Sequence, residues 1–241
     1  EGLFGAALAL EPGLRASMQL VTKCGIMLPA DGRPTRLAHY DTGRAHVVAA
    51  VERSLREMRT DHVDLLLIHR PDPLMDADDT AAALAGLRES GKVLHCGVSN
   101  FNPWQYDLLA SRLPFPLVTN QVEISVLHME PFHDGTVDQC QRLRIAPMAW
   151  SPLARGRLFT PEDEQIRRIR QSLGEVGEAL GGAGIDQVAL AWLLAHPARI
   201  VPILGTGKLE RVQQAAAAEA LHLSPEQWFS IWTASAGRPV P

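Results

Sequence analysis

The chain has 241 residues, 46% hydrophobic and 21% charged, a composition that excludes a disordered chain and is enough to bury a full core. Its 23 Lys+Arg against 27 Asp+Glu leave a formal net charge of -4, which argues against a general nucleic-acid binder. No apolar run approaches the roughly 20 residues of a membrane span.

In chain order, a short apolar run at residues 19–22 predicts a first strand. Val47, Val51, Leu55 and Met58 then fall on one helical face. A second strand is predicted at 63–68 and a helix at 78–90, capped by Asp78 or Asp79 and stopped by Gly91. A strand at 93–98 precedes a helix that begins at Asn102 with Pro103 in its first position. Strands at 117–122 and 145–150 follow, then helices at 162–180 and 187–195 and a strand at 200–204. The Ala-rich segment 209–221 predicts a helix, and Pro225 begins a last one through Trp228 and Ile231.

These strands show little polar alternation, as strands buried on both faces do. Strand then helix, repeated about six times, favours right-handed parallel βα units. No GxGxxG follows the first strand, which weakens a Rossmann reading. The predicted fold is therefore α/β, a single-domain (β/α)8 TIM barrel over residues 1–241 with its first two strands absent from this chain. Six strands alone would leave two open edges.

In a parallel barrel, chemistry collects at the carboxyl ends of the strands. Lys23 ends the first apolar run, His69 the second, and Ser99 with Asn100 the third. Asn120 and Gln121 lie within the fourth, Ser151 follows Trp150 at the fifth, and Gly205-Thr206-Gly207-Lys208 follows the sixth. Each alone reads as a solvated rim residue, a loop histidine or a cap. Jointly they point to an anion-binding, carbonyl-polarising pocket. Gly205, Thr206 and Gly207 would present backbone N–H groups at a helix N-terminus, where a phosphate is favoured. Lys208 and Arg211 on the first turn oppose the helix dipole, a cost that a bound phosphate offsets.

These motifs resemble the aldo-keto reductase family. Val21-Thr22-Lys23, the stretch from Asp61 through His69-Arg70-Pro71-Asp72, Gly97-Val98-Ser99-Asn100-Phe101, Asn120-Gln121-Val122-Glu123, Trp150-Ser151-Pro152-Leu153 and Gly205-Thr206 follow in family order. The likeness runs from residue 1 to about Ala220, and the His-Arg-Pro-Asp-Pro and Gly-Thr-Gly-Lys variants resemble a bacterial oxidoreductase branch.

What the resemblance implies is hydride transfer from NADPH to an aldehyde or ketone. Lys23 would be the catalytic lysine and His69 the histidine that orients the carbonyl. Ser99, Asn100 and Gln121 would hold the nicotinamide carboxamide, and Trp150 would stack on the nicotinamide ring. Ser151, Leu153 and Arg155 would line the pyrophosphate path. Thr206 and Arg211, with Lys208 close by, would meet the 2′-phosphate, and Gln214 the adenine. That cationic cluster favours NADPH over NADH, because a phosphate rewards a bidentate arginine.

The family's aspartate and tyrosine precede a helix whose start Glu1 to Leu8 resembles, and the chain has no initiator Met, so a fragment of an ordinary reductase is expected. Tyr40, in a loop, and Tyr106, on a helix away from the rim, are not expected to replace that tyrosine. Two alternatives remain: a barrel that binds NADPH without catalysis, and a structural or interaction subunit. The expected partner is a small carbonyl substrate, with neither nucleic acid nor membrane. Neither the substrate nor the oligomeric state is indicated. The separated cysteines Cys24, Cys96 and Cys140 give no disulfide framework, which favours a reducing cytoplasm and buried, inert thiols. Trp228 and Trp232 are expected in the core, while Trp104 would line a pocket or fill the core.

Overall fold

The structure, a computed structural model, describes residues 1–30, 35–160 and 163–240. Its contacts divide the chain into two compact units, Glu1–Asn120 and Gln121–Pro241.

The first unit carries a parallel ladder of β1 (Val21–Cys24), β4 (Val63–Ile68) and β5 (Val93–Ser99). Lys23 lies opposite Leu67, and Leu67 opposite Gly97. Only glycine fits at 97: a Cβ there would stand 2.8 Å from both Leu67 Cδ2 and Thr119 Cγ2. β1 starts two residues later than expected. Leu20 is buried and its N–H donates to Asp64 Oδ2 (2.8 Å), so a side-chain bond holds the segment where a ladder was predicted. β2 (Ile26–Met27) and β3 (His39–Tyr40) form a small antiparallel pair beyond the end of β1.

Helix α1 (Gly2–Leu10) packs on α2 (Arg44–Met58), where a Cβ on Gly5 would collide with the Glu57 carbonyl. The predicted face of α2, Val47, Val51, Leu55 and Met58, is buried. α3 (Ala77–Glu89) is capped by Asp76, which accepts from the N–H groups of Asp78 and Asp79, and not by Asp78 or Asp79 as expected. Asp79 instead accepts the Arg44 N–H at the start of α2 (2.7 Å). α4 (Pro103–Ala110) has the predicted Asn102 cap, completed by Gln105 as a capping box.

In the second unit β6 (Asn120–Glu123, whose first residue closes the first unit), β7 (Met148–Trp150) and β8 (Val201–Pro202) run parallel, with Gln121 opposite Met148 and Met148 opposite Val201. α5 (Thr136–Leu143), α6 (Glu164–Ala179), α7 (Ile185–Leu194), α8 (Leu209–Ala217) and α9 (Pro225–Ala236) complete it. The expected first residue of the α6 segment, 162, lies outside the described residues; Asp163 caps that helix through the Ile166 N–H (2.8 Å). α8 ends earlier than expected and passes into a 3₁₀ turn at Ala218–Ala220.

Trp192 is fully buried among Ile169, Leu173, Val188 and Ile231. Trp228 stacks on it at 4.8 Å, and the two indoles exchange N–H bonds to each other's backbone carbonyls (3.1 and 3.0 Å). Trp232 stacks in turn on Trp228, so both tryptophans pack against the core as expected. Trp104 does not fill the core: it is 81% exposed. All three cysteines are buried, and burial pushes their thiols up to about 12, so no reactive thiolate forms near neutrality. Among the described residues no helix is long and apolar enough to cross a membrane.

Candidate active site

Parallel register brings the carboxyl ends of β1, β4 and β5 level. Cys24 pairs with Ile68 and Ile68 with Val98, and the His69 N–H donates to the Cys24 carbonyl (2.9 Å). Lys23, His69 and Ser99 therefore emerge at one edge. His69 is half-buried, and its imidazole pKa falls from 6.5 to about 4. Burial is the first cause, then the positive charges of Lys23 and Arg70. Lys23 is exposed by area, yet its ammonium loses enough hydration, with Arg70 adding repulsion, to lower its pKa. The site thus holds a neutral imidazole beside a cation.

The turn after β5 is fixed by Asn100, whose backbone is left-handed (φ 62). Asparagine tolerates that conformation better than most residues. Its Nδ2 donates to Ser99 Oγ (2.8 Å) and to the His69 carbonyl (3.2 Å), so one amide ties two strand ends together. Ser99 is 1% exposed. Tyr106 is buried and its hydroxyl donates to the Leu117 carbonyl (2.8 Å), which makes it a structural residue. Tyr40 sits on the hairpin beyond β1 and is partly exposed.

In the second unit Gln121 is buried on β6, its Nε2 3.9 Å from Met148 Sδ. Trp150 ends β7, with the Arg155 guanidinium 5.3 Å from the centre of its indole. The segment that follows is strained: Ser151, Ala154 and Arg155 have φ of 52°, 51° and 56°. Each costs roughly 1–2 kcal/mol relative to ordinary backbone. Hydrogen bonds from Ala154 N–H to the Ser151 carbonyl (2.8 Å) and from Gly156 N–H to the Leu153 carbonyl (3.0 Å) hold the turn. Such outliers concentrate where a loop is shaped to bind.

Ile203 N–H donates to the Ala149 carbonyl (2.9 Å), so the chain leaves β8 at the same edge as Trp150. Gly205 and Gly207 have open space where a side chain would project. Thr206 Oγ1 accepts the Lys208 N–H (3.2 Å), and Lys208 is the N-cap of α8. Arg211 follows on the first turn, exposed like Lys208, and neither has an ion-pair partner among the described residues. Gln214 is exposed on α8, and its carbonyl accepts from Gln187 Nε2 on α7 (3.1 Å).

The first unit therefore gathers Lys23, His69, Ser99 and Asn100. In the second, Gln121 lies on β6; Trp150, Ser151, Leu153 and Arg155 lie at or after the end of β7; the 205–214 stretch follows β8. The model of the aldo/keto reductase family matches residues 1–235. The chain belongs to the aldo/keto reductase family.

Among its relatives, oxidoreductase YdhF of Escherichia coli (strain K12) is 52% identical, over 100% of this chain and 80% of that protein. A 6-dehydroglucose reductase of Agrobacterium fabrum is 47% identical over 100% of this chain and 80% of that protein. A solved structure of the thermostable aldo-keto reductase Tm1743 with the inhibitor epalrestat aligns at a TM-score of 0.81 and 30% identity, covering 97% of this chain and 76% of that one. This aldo/keto reductase is accordingly an enzyme, a carbonyl-reducing oxidoreductase, and its fold class is the α/β barrel read from the alternation of strands and helices. The sequence reading missed Arg70, whose charge acts on both Lys23 and His69. Its one visible signal is adjacency to His69 beyond an apolar strand.

Proposed function

We propose that the chain reduces an aldehyde or ketone with NADPH, with Lys23 and His69 at the reacting carbonyl. The observation that carries this reading is a neutral His69 beside the Lys23 charge at the shared ends of β1 and β4. A neutral imidazole can donate an N–H bond to a carbonyl oxygen while staying uncharged itself. As negative charge develops on that oxygen, the nearby ammonium stabilises it, more strongly in a site with reduced hydration. NADPH, when bound, supplies the hydride, and the proton that completes the alcohol is drawn from solvent.

The chain's own groups supply the kinds of contact that cofactor would need. In the first unit Ser99 and Asn100 would offer a hydroxyl and an amide to the nicotinamide carboxamide; in the second, Gln121 would offer an amide and the Trp150 indole a face for the ring. Ser151, Leu153 and Arg155 would line the pyrophosphate. The start of α8 leaves backbone N–H groups available, and Lys208 and Arg211 add two exposed cations there, a donor set suited to a 2′-phosphate. Gln214 would face the adenine. An unbroken family match over residues 1–235 supports reading the chain as one catalytic domain.

The relative named 6-dehydroglucose reductase favours a sugar aldehyde within the carbonyl class. The experiment is a kinetic screen: NADPH oxidation by the purified protein against aldehydes, ketones and sugars that include 6-dehydroglucose. Turnover with sugar aldehydes well above simple aldehydes supports this substrate, and turnover with none of the panel refutes carbonyl reduction.

A further inference from the structure

The turn that presents Ser99 and Asn100 is held by a residue outside the proposed cofactor contacts. Asn120, the first residue of β6, is fully buried, and its Nδ2 donates to the Phe101 carbonyl at 2.7 Å. Phe101 is 1% exposed and lies between Asn100, in its left-handed conformation, and Asn102, the cap of α4. The first bond of α4 uses the Asn102 carbonyl, accepting from the Tyr106 N–H (3.0 Å), so the helix leaves the Phe101 carbonyl to Asn120.

Only half of the Asn120 amide is used here. Its Oδ1 is buried and has no hydrogen-bond partner among the described residues. An unpaired buried acceptor is a cost that an apolar residue of the same shape would avoid. What only a side chain with an N–H group supplies at this point is the clamp on Phe101. One residue upstream, Asn100 uses its amide on Ser99 Oγ and the His69 carbonyl. Rotation of the Phe101 peptide would therefore be felt at the strand ends that carry the site.

We propose that Asn120 is a positioning residue: by holding the Phe101 carbonyl it locks the Ser99–Asn100 turn in the geometry that receives the nicotinamide end of the cofactor. This rests on the assignment of Ser99 and Asn100 to the nicotinamide carboxamide, and it adds a residue that acts only through them.

The test compares two ligands in the full chain. NADPH carries the nicotinamide; adenosine 2′,5′-bisphosphate carries the adenine and 2′-phosphate without it. Titration calorimetry gives both dissociation constants for the parent protein, Asn120→Leu, Asn120→Ala and Ser99→Ala. Asn120→Ala serves if the leucine variant does not fold. The expected result is an NADPH affinity about tenfold weaker in the Asn120 variant, equivalent to about 1.4 kcal/mol, with adenosine 2′,5′-bisphosphate within twofold of the parent. Equal weakening of both ligands would mean a merely structural role, and unchanged NADPH binding would mean no role; either overturns the proposal. If Ser99→Ala shifts the ratio of the two constants while the Asn120 variant does not, the positioning role alone fails. If Ser99→Ala does not shift it either, the nicotinamide assignment fails with it.

Discussion

The depressed His69 pKa is a direct consequence of what surrounds the imidazole, and it can be taken apart. Three causes act in order: burial, the Lys23 charge and the Arg70 charge. With a pKa of about 4 in place of 6.5, about one imidazole in a thousand is protonated at pH 7, against about one in four for an ordinary histidine. Lys23→Met removes the second cause and leaves the first and third. The midpoint should then rise from about 4 but stay below 6.5. The sign for stability follows. Because the folded pKa is the lower one, the unfolded chain takes the proton first. His69 therefore costs stability as pH falls from 6.5 toward about 4 and has no effect above that window. The assay is an NMR pH titration of the histidine Cε1 signals, with His69→Gln identifying the signal among nine histidines. A parent midpoint at 6.5 or above, or one that Lys23→Met does not move, would refute the idea that burial and neighbouring cations keep this imidazole neutral.

Two further outcomes follow from the site and its frame. Arg211→Ala should weaken NADPH by at least tenfold and leave NADH nearly unchanged, since charge-assisted bonds to a phosphate are among the strong ones; fluorescence titration with both cofactors checks it, and equal losses would contradict the 2′-phosphate assignment. Gly97→Ala places a methyl group 2.8 Å from Leu67 and Thr119 side-chain atoms, so it should lower unfolding stability by about 1–3 kcal/mol in urea titrations, and an unchanged midpoint would show that the ladder yields there.

Much of this arrangement can be read from residues alone, and the exceptions have physical reasons. β4 falls on its predicted bounds because six strand residues, Val63 to Ile68, are apolar but for Asp64 and stop at His69. The Asn102 cap of α4 is legible because Asn, Pro103 and Gln105 each favour the same helix start. At α3 three aspartates compete for the cap; Asp76 takes it, while the Asp79 side chain goes to the start of α2, a tertiary contact the local sequence does not show. The left-handed residues at 151, 154 and 155 leave no mark, because Ser, Ala and Arg carry no preference for positive φ. Lys23, His69, Ser99 and Asn100 are visible as polar residues that end apolar runs. Asn120 is visible too, as a polar residue within an apolar run, but its role is not, because it works through a carbonyl nineteen residues away; Arg70 shows only as a neighbour of His69, because its effect works through space.

The most direct test of the proposed chemistry is steady-state kinetics of the parent, Lys23→Met and His69→Gln proteins with NADPH and the best substrate of the panel, with NADPH affinity measured separately. The expected result is a kcat lower by roughly 10²–10⁴ in both variants, with the NADPH dissociation constant within a few-fold of the parent. Near-parental turnover in both would contradict it.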